Sequence, residues 1–152
     1  KVGKMPNGIS LWYEEGGVGS GNYSELISEE KLFDFGLVSM AKGKVNHSFT
    51  LKNSGDSNIK ITKIYTSCMC TEATLVQGAL RKGPFGMPGH GGFSSQIDGV
   101  IDPGRVITID VAVDPAAHGP QGTGPAKKVV YIETDSAINP VLELELNINV
   151  TK

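Results

Sequence analysis

Val141-Leu142-Glu143-Leu144-Glu145-Leu146-Asn147-Ile148-Asn149-Val150 places an aliphatic residue at every second position from Leu142 onward, with a carboxylate or amide between each pair. Successive side chains on a strand point to opposite faces, so this run has one dry side and one wet side. A helix would scatter the same residues around its whole circumference. The stretch is therefore a strand whose sheet covers a core on one face only, the pattern of antiparallel sandwiches.

Other segments repeat the pattern. Ile107, Ile109, Val111 and Val113 share a face, with Thr108, Asp110 and Ala112 opposite. Val45, His47, Phe49 and Leu51 alternate with Asn46, Ser48, Thr50 and Lys52, and the spacing makes His47 a hydrogen-bonded core histidine. Lys128–Thr134 is a further strand, and Leu32-Phe33-Asp34-Phe35 is one that stops at Gly36. Ile59 and Ile61 alternate until the phase changes at Ile64, which predicts a bulge near Lys63. Asn53-Ser54-Gly55-Asp56 is a turn, and Asp102-Pro103-Gly104 has the Pro-Gly order of a type II turn. No long stretch carries a 3.6-residue apolar period. The expectation is an all-β, immunoglobulin-like antiparallel β-sandwich of about seven strands with one long glycine-rich loop. It occupies residues 32–152, after a weakly structured or linker-like segment over residues 1–31 that contains Gly16-Gly17-Val18-Gly19-Ser20-Gly21.

The composition narrows the function classes. A chain of 152 residues can bury a sizeable core without disulfide staples, and its two cysteines, two apart, make no such framework. Net charge is -2 with no basic run, which argues against nucleic acid as a partner. No window approaches the apolar length of a transmembrane segment. The chain opens at Lys1 without methionine, as after removal of an export signal or trimming.

Phe33-Asp34-Phe35-Gly36, then Val45-x-His47-x-Phe49-x-Leu51-x-Asn53-x-Gly55, then Thr66-Ser67-Cys68-x-Cys70-Thr71, then Pro103-Gly104 resembles the bacterial family catalogued as domain of unknown function 1573. The resemblance spans about residues 32–150. It implies an immunoglobulin-like domain of sperm-protein and ciliary type in an exported or anchored bacterial protein, hence an extracytoplasmic setting (periplasmic, secreted or at the cell surface). It implies no reaction. Two departures stand out: Met69 replaces the usual glycine of Cys-x-Cys, and Leu75–Ile101 is longer than the family's usual connection.

Cys68 and Cys70, read as the end of a strand, would face the same way with Cα atoms about 6.6 Å apart, easier for chelation than for a disulfide. Met87 and His90 follow in the long segment, among Gly83-Pro84-Phe85-Gly86-Met87-Pro88-Gly89-His90-Gly91-Gly92. Loops of that length in a small domain are usually functional or disordered. His118, in Asp114-Pro115-Ala116-Ala117-His118-Gly119, can complete the donor set. Two thiolates and a thioether select a soft ion, Cu(I) first, with zinc as the alternative. The expected metal ligands are thus Cys68, Cys70, Met87, His90 and His118, with copper carried or sequestered and passed to a protein partner. A metal-free structural or protein-binding module, with Cys68 and Cys70 as a disulfide or redox pair, is the competing reading.

Enzymatic motifs are missing: there is no nucleophile elbow, phosphate-binding loop or His-Glu-x-x-His helix. The expectation is a non-enzyme, with thiol–disulfide exchange as the one catalytic alternative.

Overall fold

The computed structural model describes residues 23–88 and 96–152. Ten strands follow in order: β1 (Leu26–Ser28), β2 (Leu32–Ser39), β3 (Val45–Asn53), β4 (Ile59–Thr66), β5 (Thr71–Gln77), β6 (Leu80–Phe85), β7 (Gln96–Ile101), β8 (Val106–Val113), β9 (Gly124–Thr134) and β10 (Val141–Thr151). One sheet has the order β1-β3-β8-β5-β6 and the other β2-β10-β9-β4-β7. The alternating strands form as their patterns require. Leu142, Leu144, Leu146, Ile148 and Val150 are buried from one sheet, and Ile107, Ile109, Val111 and Val113 from the other. The protein is an immunoglobulin-like β-sandwich.

The architecture departs from the sequence reading at its edges. Among the described residues ten strands stand where about seven were expected, because β1, β6 and β7 are edge strands and half-exposed edges do not alternate cleanly. β1 pairs with β3 from Leu26↔Asn53 to Ser28↔Leu51, so the sandwich begins before residue 32. The supposed long loop after Leu75 is mostly strand. β5 turns back into β6 with Gln77 opposite Leu80, and the edge position lets Pro84 sit in β6 without a missing ladder bond. Residues 89–95 of that stretch lie outside the described residues.

Gly36 does not end its strand. β2 runs on to Ser39, and the register shifts between Asn147 and Asn149 opposite Gly36, whose φ of 70° fits a bulge. Gly36 N–H donates to Asp34 Oδ1 at 2.8 Å, which fixes the kink. β2 also pairs with β10 in parallel, while the other strand pairs among the described residues are antiparallel. The bulge expected near Lys63 is present, between Ile61 and Lys63. His47 is half-buried, stacked on Phe33 with ring centroids 3.6 Å apart, and its Nε2 lies 2.6 Å from Glu30 Oε1.

The Asn53 turn is held from within. Asn53 is fully buried, and its Nδ2 donates to Ile101 O and Ser57 O, both at 2.9 Å, while Oδ1 accepts from Gly55 N at 3.0 Å. Its own backbone carbonyl accepts from Gly104 N at 2.9 Å, and Arg105 N donates to Asp102 O at 3.0 Å to close the Pro-Gly turn. One buried amide therefore joins the turns after β3 and β7.

Candidate metal centre

Thr66-Ser67-Cys68-Met69-Cys70-Thr71 leaves β4 in one sheet and enters β5 in the other. The cysteines thus sit on a turn across one end of the sandwich, not on a strand as their spacing alone had implied. Thr71 N donates to Cys68 O at 3.1 Å and closes the turn. The buried Thr66 hydroxyl lies 2.9 Å from both Cys68 O and Thr71 O and clamps it from inside. Ser67 bonds Val129 twice, through N to Val129 O and through Oγ from Val129 N, each at 2.9 Å. Asp114 N, just past β8, donates to Cys70 O at 2.9 Å. These bonds give each polar residue around Cys-x-Cys a task.

His118 arrives from the loop after β8. Asp114 accepts from Ala116 N through Oδ1 at 2.9 Å and from Ala117 N through its carbonyl, which turns the chain back toward Cys70. A Cβ on Gly122 would stand 2.8 Å from His118 Cβ, so that glycine leaves room for the imidazole's backbone. The result is a cluster in which Cys68 Sγ, Cys70 Sγ and a ring nitrogen of His118 all lie within 4.8 Å of one another. Donors around a single bound ion with bonds of about 2.0–2.3 Å stand roughly 3.5–3.8 Å apart, so small side-chain rotations suffice to close the cluster on a metal.

Both thiols are free. Cys68 is half-buried, and burial by itself raises its pKa. Hydrogen bonds from the Cys70 thiol and backbone N–H, from His118 and the charge of Lys128 outweigh that, lowering the value from 9.0 to about 7. The contacts are visible: Cys70 N at 3.3 Å, His118 Nε2 at 3.1 Å and Lys128 Nζ at 3.6 Å from Cys68 Sγ. The Cys70 thiol is pushed up, first by burial and then by the hydrogen bond it gives Cys68. Near neutrality the pair keeps one proton, on the buried sulfur. Metal-free protein should therefore alkylate with iodoacetamide at Cys68 first, at a rate that rises with pH through a midpoint near 7. A midpoint close to that of a free thiol, or faster reaction at Cys70, would contradict this electrostatic account.

Among the ligands expected from sequence, Cys68, Cys70 and His118 come together. Met87 is half-buried and follows Gly86, whose carbonyl accepts from Thr66 N at 3.2 Å, so it lies at the same end of the sandwich. His90 lies outside the described residues. Met69 is 52% exposed, on the solvent side of the turn. Sequence reasoning missed Lys128 and Thr66; the Thr-Ser-Cys-x-Cys-Thr context pointed to Thr66, and nothing local pointed to Lys128.

The comparisons with known proteins agree on the class of fold. A protein of unknown function from Porphyromonas gingivalis W83 matches with a TM-score of 0.59 and 13% identity over 91% of this chain, which spans 52% of that one. The ASH/PapD-like domain 7 of human CEP192 matches at 0.52 and 12% identity over 95% of this chain and 98% of that domain. The Escherichia coli chaperone DraB matches at 0.51 and 7% identity over 85% of this chain and 56% of its own. At these identities the likeness is one of fold alone. No curated protein matches the sequence. The model of the family described as protein of unknown function (DUF1573) matches residues 26–86, from β1 through the Cys-x-Cys turn to the end of β6. The chain resembles that family over this span, which ends well short of residue 150.

Proposed function

We propose that the protein is a non-catalytic, extracytoplasmic metal-binding domain that holds one Cu(I) through Cys68, Cys70 and His118 and carries or sequesters it. The supporting observation is the convergence of two sulfurs and an imidazole, from separate loops, within 4.8 Å. Thiolate pairs favour soft ions, and a donor set of two sulfurs and one nitrogen suits the low coordination numbers that Cu(I) accepts. Zinc would need a fourth ligand. Met87 and His90 are the donors proposed to join when the ion is captured or handed on. His118 is exposed, so a partner protein can reach the ion from its side and take it by ligand exchange.

The test is anaerobic titration of reduced protein with Cu(I) in competition with bicinchoninate. One tightly held copper per chain, with both thiols shielded from alkylation, is the expected result. Titrations in which the chelator keeps all the copper would remove the proposal.

The asymmetry of the thiols favours a second reading, thiol–disulfide exchange, with Cys68 attacking and the buried Cys70 resolving. Equilibration in glutathione redox buffer separates the two. An exchange pair interconverts fully between dithiol and disulfide within the range of that buffer, whereas a copper site keeps its thiols protected by the ion.

A further inference from the structure

Lys128 lies on β9, which neighbours β4 in the sheet, and its half-buried ammonium stands 3.6 Å from Cys68 Sγ. Its neighbour Lys127 projects to the other face of the strand and pairs with Glu145 at 3.1 Å. Among the described residues no carboxylate forms an ion pair with Lys128, so its charge is left to the sulfur. A lysine held this way is a fixed positive charge beside the cluster of Cys68, Cys70 and His118.

The consequence depends on the charge of the ion. Two thiolates, a neutral imidazole and a monovalent cation sum to a single negative charge. The same ligands with a divalent cation sum to zero. In the first case Lys128 neutralises the complex; in the second it leaves an uncompensated positive charge in a partly desolvated place, which is costly. The geometry points to Lys128 as the residue that sets metal specificity, biasing the site toward monovalent soft ions over divalent ones. This rests on Cys68 and Cys70 being thiolate ligands, and it adds that the selection is by charge as well as by softness.

The experiment compares wild type with Lys128→Met, which keeps the aliphatic length, and with Lys128→Gln and Lys128→Arg. Affinities for Cu(I) and Ag(I) are read by competition with bicinchoninate and a thioether chelator, those for Zn(II) and Cd(II) by competition with pyridylazoresorcinol. In both neutral variants the monovalent-to-divalent affinity ratio is expected to fall by roughly ten- to hundredfold, with Ag(I) following Cu(I) and Cd(II) following Zn(II). Lys128→Arg should restore it. A ratio unchanged in Lys128→Met and Lys128→Gln, or equal weakening of all four ions, overturns the role of Lys128 and leaves the copper site standing. Wild type that retains no Cu(I) removes the site itself, and the inference with it.

Discussion

Cys68→Ser is expected to lose stoichiometric Cu(I) while the metal-free sandwich loses no more than about 1 kcal/mol, since Cys68 packs only at the margin of the core and a serine oxygen is near enough in size to accept the same Cys70 N–H. The sulfur of Cys68 is the centre of the cluster: it receives His118, Lys128 and the Cys70 backbone N–H. A serine oxygen is a hard donor with a far higher pKa, so the site would keep one thiolate and an imidazole and lose its chelate. The drop in affinity should exceed the roughly 10–100-fold that an outer partner of a metal site is worth. His118→Ala should weaken binding less, since both thiolates remain. Bicinchoninate competition reads both variants, and a urea melt of the metal-free forms shows whether the fold has been spared. Copper retained at one per chain in Cys68→Ser would mean that the ion sits elsewhere.

The second large effect concerns stability. Asn53→Leu should cost about 3–5 kcal/mol, because it strands buried groups that Asn53 now satisfies and deletes no compensating partner. Ile101 O and Ser57 O would lose their donor, and Gly55 N its acceptor. Against a total stability of about 5–15 kcal/mol for a single domain, such a loss is a large fraction. Equilibrium urea denaturation reads it directly, as a lower midpoint at unchanged slope. A change below about 1 kcal/mol would mean that the turns after β3 and β7 hold without the buried amide.

The strands that pack on both long edges were legible, since β3, β8 and β10 each bury alternate residues and so write their orientation into the sequence. The edge strands were not. β6 carries Arg81, Lys82, Gly83 and Pro84 at positions with little burial, and such a run is indistinguishable from a loop until its hairpin with β5 is known. Gly36 misled for a related reason: a glycine in a strand marks an end or a bulge, and only the pairing with β10 decides which. In the site, Cys-x-Cys and its threonines were visible because the motif is local. That its turn passes between sheets was not, because sheet membership is settled by contacts far along the chain. His118 could be named as a donor type but not placed. Lys127 and Lys128 are adjacent in sequence and alike in chemistry, yet one faces Glu145 and the other a sulfur.

The parallel pairing of β2 with β10 bears on timing. β10 lies between β2 and β9, so the hydrogen bonds of that sheet stay incomplete until residues 141–151 have docked. The partners in Glu145↔Leu32 are more than a hundred positions apart, and ladders of such separation close late and slowly. Residues 68 and 70 are made long before His118, Lys128 and the strand that locks β9 in place. Until β9 and the loop after β8 are in place, neither Lys128 nor His118 stands beside Cys68, so the perturbed thiol is a property of the folded sandwich and not of the local Cys-x-Cys motif.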